Sequence, residues 1–348
     1  MPMRIGVDAM GGDHAPGAII RGSLQALADF DQIELLLVGD EKVISDHLAS
    51  SGGVPDRCQI VHASETVEMS ESPTDALRRK KDSSIMVLAK LAADQKVDAI
   101  ISAGNTGACA AAAQLRMRSL PCISRPGIAV ALPSFHGPVT LCDVGANIQA
   151  RPQHLYEYAV LATEYAKMVL GVESPRVGLV SIGEESLKGT DVIKKTHELL
   201  SADKAMRFVG NVEGRELFQN KCDVAVSDGF VGNILLKFIE GLSEGLFKTI
   251  SREFQDDDEV TKKKFDDALH RVWQRHDFSE YGGAPLLGIN GVCMICHGRS
   301  EERAIRNAVK AASTFVEHRF NDAITKRLGQ TGSSGPTDAT TQSMANIG

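Results

Sequence analysis

The chain has 348 residues, with 38 Lys and Arg against 45 Asp and Glu, and a formal net charge of −7. Its 43% hydrophobic and 24% charged residues are typical of soluble globular proteins and exclude a disordered or fibrous chain. The acidic balance argues against nucleic-acid binding, and no apolar run reaches the length of a membrane span. Arg4 interrupts any apolar leader, and seven scattered cysteines indicate reduced thiols, so we expect a cytoplasmic protein.

Short apolar runs alternate with helix-length segments along most of the chain. Strands are predicted at residues 4–8, 33–38, 59–61, 98–102, 128–132, 139–143, 176–181, 207–209, 223–227 and 293–296. Helices are predicted at residues 18–29, 106–117, 152–170 and 187–200, and a further helix begins at Ser72 and Pro73. This alternation predicts an α/β fold with a large doubly wound, mainly parallel sheet.

Two segments interrupt the alternation. Residues 230–254 read as one long helix with apolar side chains at helical spacing, and residues 260–273 read as a second helix. Together they predict a helical hairpin over about 230–275 that projects from the sheet or packs against a partner. Residues 329–348 are rich in Gly, Ser, Thr and Gln, which predicts a disordered tail.

Five glycine-rich loops follow predicted strands, at residues 6–16, 102–108, 141–147, 181–190 and 227–234. Ligands of α/β sheets bind where loops leave the carboxyl ends of strands, so we expect the five loops to share one cleft. The first loop offers cleft residues Asp8, Gly11, Gly12, Asp13 and His14. A tight turn with capping aspartates is the structural alternative for this loop.

The loop at 102–108 precedes an Ala-rich helix, and its hydroxyls, backbone N–H groups and helix N-terminus predict a phosphate site. Its candidate ligands are Ser102, Gly104, Asn105 and Thr106. In the loop at 181–190, Lys188 precedes the second glycine, and this order excludes the phosphate-binding loop of nucleotide triphosphatases. Lys188 can still neutralise a bound anion. The loop at 227–234 offers Asp228 and Asn233, with Lys237 one turn later; a helix-capping aspartate is the alternative.

Basic residues form one run and a looser second group. The run is Arg78, Arg79, Lys80 and Lys81. Arg116 and Arg118 follow, with Arg125 before a Pro-Gly turn. Such residues form either a solvated face or a dock for an acidic partner or a phosphate.

Known metal and dinucleotide motifs are absent from the sequence. It contains no zinc-binding spacing, EF-hand loop or Gly-x-Gly-x-x-Gly loop, so no metal site is predicted. The string Cys293-Met-Ile-Cys296-His297 matches a haem attachment site, but it reads as a buried strand with buried thiols. His14 and His297 are each interpreted either as cleft residues or as satisfied core histidines.

The strings GVDAMGGD, ALRRKKDSS, SAGNTGA, LCDVGAN, VGLVSIGEESLKG and SDGFVGNILLK occur in this order. In this combination the chain resembles the bacterial acyl-acyl-carrier-protein:phosphate acyltransferase family of phospholipid synthesis, from about residue 4 to about residue 319. The resemblance implies one α/β/α domain over 1–328, similar to isopropylmalate dehydrogenases, and a homodimer without a cofactor. It also implies formation of acyl phosphate from long-chain acyl-acyl-carrier-protein and inorganic phosphate, with peripheral membrane association. The acyl phosphate would pass to a membrane glycerol-3-phosphate acyltransferase.

The implied chemistry needs a phosphate cradle, oxyanion donors and a slot for the acyl chain. The loop at 102–106 with Arg125 and Lys188 is the expected cradle, and Asn233 with Lys237 or the N–H groups after Gly11 face the oxyanion. His14 is the candidate acid, and Asp8 or Asp228 orients a basic residue. The run at 78–81 is the expected dock for the acidic carrier protein. The hairpin residues Leu246, Phe247 and Ile250 are expected at the dimer interface or at the membrane.

Two positions depart from the family pattern. A lysine is expected where Ile295 stands and a small residue where Arg299 stands, so the positive charge is expected to have moved to Arg299. The alternatives are a phosphate acetyltransferase that uses acetyl-coenzyme A, a metal- and NAD-dependent decarboxylating dehydrogenase, and a non-catalytic membrane scaffold.

Overall fold

A computed structural model describes residues 2–254, 258–275 and 281–331. Its centre is an 11-stranded sheet with the strand order β3-β2-β1-β4-β11-β10-β5-β6-β9-β7-β8. The strands are β1 (Met3–Asp8), β2 (Ile33–Gly39), β3 (Cys58–His62), β4 (Ala99–Ser102), β5 (Gly127–Leu132), β6 (Val139–Cys142), β7 (Arg176–Val180), β8 (Arg207–Val212), β9 (Val224–Val226), β10 (Ala284–Leu287) and β11 (Val292–Ile295).

The α-helices of the described residues lie mostly between these strands. They are α1 (Gly17–Asp29), α2 (Glu41–Ser50), α3 (Pro73–Arg79), α4 (Ser84–Ala93), α5 (Thr106–Arg116), α6 (Pro152–Met168), α7 (Asp191–Ala202), α8 (Gly229–Glu253), α9 (Glu259–Arg275), α10 (Glu302–Glu317) and α11 (Phe320–Thr331). A short 3₁₀ helix spans Gly214–Phe218. The element types agree with the predicted α/β class.

Helices cover both faces of the sheet, as the apolar runs predict. In β2, Leu35 and Leu37 pack into a core with α1, α6 and α10, whereas Leu36 and Val38 pack into a core with α4, α5 and α8. A strand that is covered on both faces reads as a continuous apolar run because neither face meets water. The predicted α/β/α layering is confirmed.

The sheet consists of two parallel blocks that run in opposite directions. Strands β3, β2, β1, β4 and β11 form the first block, and β6, β9, β7 and β8 form the second. Between them, the pairings β11–β10, β10–β5 and β5–β6 are all antiparallel. Because three successive reversals invert the direction, the carboxyl ends of the two blocks lie at opposite edges. The mainly parallel sheet is confirmed, and the five glycine-rich loops leave it at two opposite edges.

One strand was not predicted from the sequence, and one helix begins later than predicted. Strand β10 was not predicted because its four residues include Pro285, and a proline normally argues against a central strand. Helix α7 begins at Asp191 rather than at residue 187, because Thr190 is its N-cap and accepts a hydrogen bond from Ile193 N. Exposed Leu187 therefore lies in the preceding loop.

The predicted hairpin is formed by α8 and α9. The Phe254 and Phe265 rings stack with their centroids 3.8 Å apart, which joins the two helices near the turn. Much of the α8 apolar stripe is exposed, including Phe238, Leu242 and Leu246 at 64%, 50% and 52%. Among the described residues, no helix combines the length and apolarity needed to span a bilayer. Helix α11 extends through Thr331, so the first three residues of the predicted tail are helical, and residues 332–348 lie outside the described residues.

Candidate active site

A cavity of about 300 Å³ lies between the sheet and α8, and is termed the α8 cleft. Its wall is apolar, with Ile128 and Val130 from β5, Ile295 from β11 and Leu236 from α8. Its polar side chains come from the loops after β4 and β11, from the segment before β10 and from α8: Thr106, Asn233, Lys237, Glu240, Tyr281, His297 and Ser300. An apolar slot with a few polar groups is the usual form of a small-molecule site.

The loops after β1 and β4 are fastened to each other by a buried carboxylate. Asp8 is fully buried and accepts a hydrogen bond of 2.7 Å from Ser102 Oγ, which in turn accepts one of 3.1 Å from Gly104 N. A side chain on Gly11 would place its Cβ 2.6 Å from Asp8 Oδ2 and 2.7 Å from Gly104 N, so only glycine allows this approach. Burial raises the pKa of Asp8. Asp8, Ser102 and Gly11 thus shape the loops and do not line the cleft.

Asn105 is also engaged by the fold. Its Oδ1 caps α5 by accepting from Ala108 N at 3.0 Å, and its Nδ2 donates to the carbonyls of residues 68, 69 and 71. The next residue, Thr106, is exposed at the start of α5 and lines the cleft. Of the predicted phosphate residues, Thr106 therefore reaches the cleft, whereas the side chains of Ser102 and Asn105 hold the loop.

The start of α8 rests on the loop after β6. Asp143 is fully buried and accepts backbone hydrogen bonds from Ile128, Gly145, Ala146 and Asn147 at 2.7–3.1 Å. Burial raises the pKa of this carboxyl. Asp228 caps α8 by accepting a hydrogen bond of 2.8 Å from Val231 N, so it is the helix-capping aspartate that the sequence offered as the alternative to a site residue.

Asn233 and Lys237 face the cleft from successive turns of α8. Asn233 stands over Gly145, whose φ of +143° favours glycine, with Oδ1 3.6 Å from the position that a Cβ would take. Lys237 Nζ is 2.8 Å from Glu240 Oε2, and both side chains line the cleft. These two predicted residues and Thr106 are brought together.

His297 lines the cleft opposite α8, although it was not among the predicted catalytic residues. Its Nδ1 accepts a hydrogen bond of 3.1 Å from Arg299 N, which leaves the proton of the neutral ring on Nε2. Burial and the charge of Lys237 lower the pKa of His297, so the ring is neutral at pH 7. Its position at the end of β11 was the only sequence signal, because Lys237 lies 60 residues away in the chain.

Other predicted site residues lie elsewhere. His14 is exposed and lines a separate surface cavity with Arg21 and Glu302. The backbone N–H of Asp13 donates a hydrogen bond of 2.7 Å to the Gly298 carbonyl. Gly12 has a φ of +110°, a conformation that favours glycine. Arg125 precedes β5, and Lys188 follows β7, so both are at the edge opposite the carboxyl end of β4 and do not join the loop at 102–106.

The two departures from the family pattern take different positions. Ile295 is 4% exposed and forms part of the apolar cleft wall. Arg299 is exposed, with Nη1 3.7 Å from Glu244 Oε1, so it connects the loop after β11 to α8. Within the described ranges, no three His, Cys, Asp or Glu side chains are grouped to hold a metal ion.

Comparisons with known proteins identify the family of the chain. A family described as fatty acid synthesis protein matches residues 3–323. Phosphate acyltransferase of Desulfitobacterium hafniense is 44% identical over 329 residues, covering 94% of this chain and 98% of that protein. Phosphate acyltransferase of Halothermothrix orenii is 44% identical over 333 residues, covering 95% of this chain and 100% of that protein.

Solved structures share the fold at much lower identity. A phosphotransacetylase from Streptococcus pyogenes has a TM-score of 0.65 and 16% identity, covering 91% of this chain and 94% of that one. A branched-chain phosphotransacylase from Enterococcus faecalis has a TM-score of 0.51 and 13% identity, covering 90% and 99%. At these identities the likeness establishes the architecture.

Proposed function

Because this chain belongs to the phosphate acyltransferase family, we propose that it forms acyl phosphate from a long-chain acyl-acyl-carrier-protein and inorganic phosphate, for phospholipid synthesis. The α8 cleft is the observation that carries the proposal. An apolar wall of Ile128, Val130 and Ile295 suits an acyl chain, and the polar groups beside it suit phosphate and a thioester carbonyl.

In the proposed reaction a phosphate oxygen attacks the thioester carbon. A C–O bond forms and the C–S bond breaks, so that the carrier protein leaves as a thiolate that takes up a proton. Phosphate is an anionic nucleophile at pH 7, and an activated side chain is not required. The buried Cys296 thiol supports this reading, because burial raises its pKa to about 12 and keeps it protonated.

The cleft side chains divide between the two reactants. Thr106, with the N–H groups that open α5, receives phosphate, because helix N-termini favour anions. Lys237 balances the charge that develops on the carbonyl oxygen, and Asn233 and the Nε2–H of His297 donate hydrogen bonds to it. The proton that the thiolate takes up comes from the attacking hydrogen phosphate, because the neutral His297 ring is too weak an acid to protonate a thiolate, and the acid role expected for His14 is not required.

The direct test is phosphate-dependent release of thiol from palmitoyl-acyl-carrier-protein. We expect release that requires both the protein and phosphate, with acyl phosphate as the product. A phosphate acetyltransferase, the second candidate, would instead prefer acetyl-coenzyme A, and the shared architecture of the Streptococcus pyogenes phosphotransacetylase is the reason to include that donor. Absence of thiol release with either donor would contradict both.

The basic run at 78–81 supports docking of an acidic carrier protein beside the cleft. Helix α3 begins at Pro73, whose Cγ is 2.7 Å from the position of a Cβ on Gly107, so this helix abuts the residue after Thr106. Arg78 and Arg79 lie on its last turn. Lys80 is instead committed to the fold, with Nζ 2.6 Å from Glu71 Oε2, and lowers the pKa of that carboxyl.

Reversal of Arg78 and Arg79, which form no ion pair among the described residues, therefore tests the dock without breaking the Lys80 contact. For Arg78→Glu/Arg79→Glu we expect the KM for acyl-carrier-protein to rise by about tenfold with kcat unchanged, since rim charges act on association. The increase should shrink at high salt. Lys42→Glu/Lys195→Glu, on exposed helix positions elsewhere, is the matched control. An unchanged, salt-independent KM would remove this surface from consideration.

The exposed apolar stripe of α8 supports a homodimer and peripheral membrane contact of a cytoplasmic enzyme. Leu246 and Ile250 are 52% and 40% exposed near Lys248, whereas Phe247 is half-buried. Apolar side chains beside basic ones are typical of helices that lie in a membrane interface. A second copy of the chain is the other occupant, and release to a membrane glycerol-3-phosphate acyltransferase would follow from the membrane contact.

One variant separates the two occupants of the hairpin. We expect Leu246→Glu/Ile250→Glu to lose most co-sedimentation with anionic lipid vesicles, because two charges enter the apolar surface. Val54→Glu/Leu115→Glu, at residues that are 53% and 62% exposed outside the hairpin, should bind as the wild type does. If light scattering shows that the Leu246→Glu/Ile250→Glu variant is monomeric, the stripe belongs to the dimer interface. If the variant is dimeric and binds vesicles as well as the wild type does, the proposed membrane contact is refuted.

A further inference from the structure

A second cavity, of about 630 Å³, lies at the amino-terminal edge of the first strand block. It is lined by Arg4, Arg116, Arg118 and Arg319 over an apolar floor that includes Met117 and Phe315, and is termed the arginine cavity. It shares no lining residue with the α8 cleft. Its chemistry is therefore separate from the proposed acyl transfer.

Three helices end at the arginine cavity, each with a non-glycine residue in the left-handed conformation. Gln95, Arg118 and Arg319 directly follow the C-caps of α4, α5 and α10, with φ of 55°, 64° and 51°. Glycine is the usual residue at this position because it adopts positive φ without steric cost. Of the four such non-glycine residues in the described chain, these three line one cavity. At these three positions the backbone conformation favours glycine, yet each carries a long polar side chain.

The charges of the cavity are only partly neutralised. Arg4 pairs with Asp98 at 3.0 Å, and Arg319 pairs with Asp322 at 2.6 Å. Arg116 and Arg118 are exposed, and neither guanidinium has a hydrogen bond or ion pair to any residue that the structure describes. The two carboxylates balance two of the four arginines, which leaves two guanidinium groups for a ligand.

We propose that the arginine cavity binds a small phosphate ester, with its phosphate on Arg116 and Arg118. Guanidinium presents paired donors that match phosphate oxygens, and the cavity has the size of a small-molecule site. The amides of Gln95 and Asn290 line the same space and offer polar contacts to the rest of the ligand. The three helix C-termini carry partial negative charge, so anion binding depends on this arginine pair.

Calorimetric titration of the full chain tests the site, with ADP and pyrophosphate as soluble probes and phosphatidic acid vesicles as the lipid probe. Arg116→Gln/Arg118→Gln should weaken binding by about a hundredfold, because it removes two charged hydrogen bonds that each contribute on the order of one decade. Glutamine already occupies the same conformation at residue 95, so the fold is expected to persist. Lys42→Gln/Lys195→Gln removes the same charge elsewhere and should bind as the wild type does.

The outcomes separate the sources of the phosphate. Loss of ADP or pyrophosphate binding in the arginine variant supports a soluble ester, and loss of vesicle binding alone supports a lipid headgroup. A Lys237→Gln variant should keep this binding, which separates it from phosphate in the α8 cleft. No binding of any probe, or equal binding by Arg116→Gln/Arg118→Gln, overturns the proposal. Thiol release is measured in parallel and should be unchanged in the arginine variant, so failure of acyl transfer remains distinguishable.

Discussion

Replacement of Lys237 by Gln should lower kcat for thiol release from acyl-carrier-protein by about 100- to 1,000-fold, the range for loss of one oxyanion-stabilising group. Lys237 lines the α8 cleft with Asn233 and His297, and is the basic residue of α8 among those that line it. Its partner Glu240 holds the ammonium at 2.8 Å, so the charge is positioned before substrate binds. Steady-state kinetics at saturating phosphate give the measurement.

Two companions make the Lys237 result interpretable. Lys248→Gln removes a charge about three turns further along α8, outside the cleft, and is expected to retain wild-type kcat. Lys237→Arg keeps the positive charge and should retain more activity than Lys237→Gln. A Lys237→Gln enzyme with normal kcat, and a raised KM alone, would place this residue in substrate binding and contradict the oxyanion role.

Substitution of Gly232 by Ala should destabilise the protein and disable the site together. An added Cβ at Gly232 would be 1.9 Å from the Asp143 carbonyl oxygen and 2.7 Å from Ser227 Oγ, so the start of α8 must move. Overpacking of this kind costs about 1–3 kcal/mol of the free energy of unfolding. Displacement of Asn233 and Lys237 by about 1 Å is expected to lower kcat by about 100-fold.

Gly241 in the same helix provides the matched control. Apart from its chain neighbours and the nearby backbone of α8, no atom of the described residues lies within 4 Å of the position of its Cβ. Gly241→Ala should therefore stabilise the protein by about 0.5–1 kcal/mol, since alanine restricts the unfolded chain more than glycine does. Urea unfolding and thiol release on both variants give the comparison. Equal stability of the two alanine variants would mean that α8 does not rest on the loop after β6 as described.

The local elements were largely predictable because their signals are local. Continuous apolar runs predicted strands such as β2, whose residues alternate between two buried cores. The turn from Asp228 into a long amphipathic segment predicted α8 within a residue or two. Strand β10 was missed because Pro285 contradicts the usual composition of a central strand, and only its neighbours β11 and β5 justify it.

The candidate site was predictable only in part, because spatial partners are decided by the sheet. Thr106, Asn233 and Lys237 line the cleft together. Arg125 and Lys188 were predicted by the same argument from glycine-rich loops, but they lie at the edge of the sheet opposite the carboxyl end of β4. The three antiparallel pairings at the centre of the sheet are the cause. The converse holds for His297, because the lowering of its pKa by the charge of Lys237 has no local signal in the sequence.

By itself, the sequence determined the α/β class, the order of the elements and the glycine-rich loops that carry the family likeness, because propensity, apolar periodicity and turn chemistry act over a few residues. Only the tertiary structure decided which loops meet, which polar groups are consumed by the fold and which remain in a cavity. The hydrogen bonds of Asp8, Ser102 and Asn105 hold the loops in place, whereas Thr106 lines the cleft. That division depends on contacts between residues far apart in the chain, whose formation requires the completed sheet.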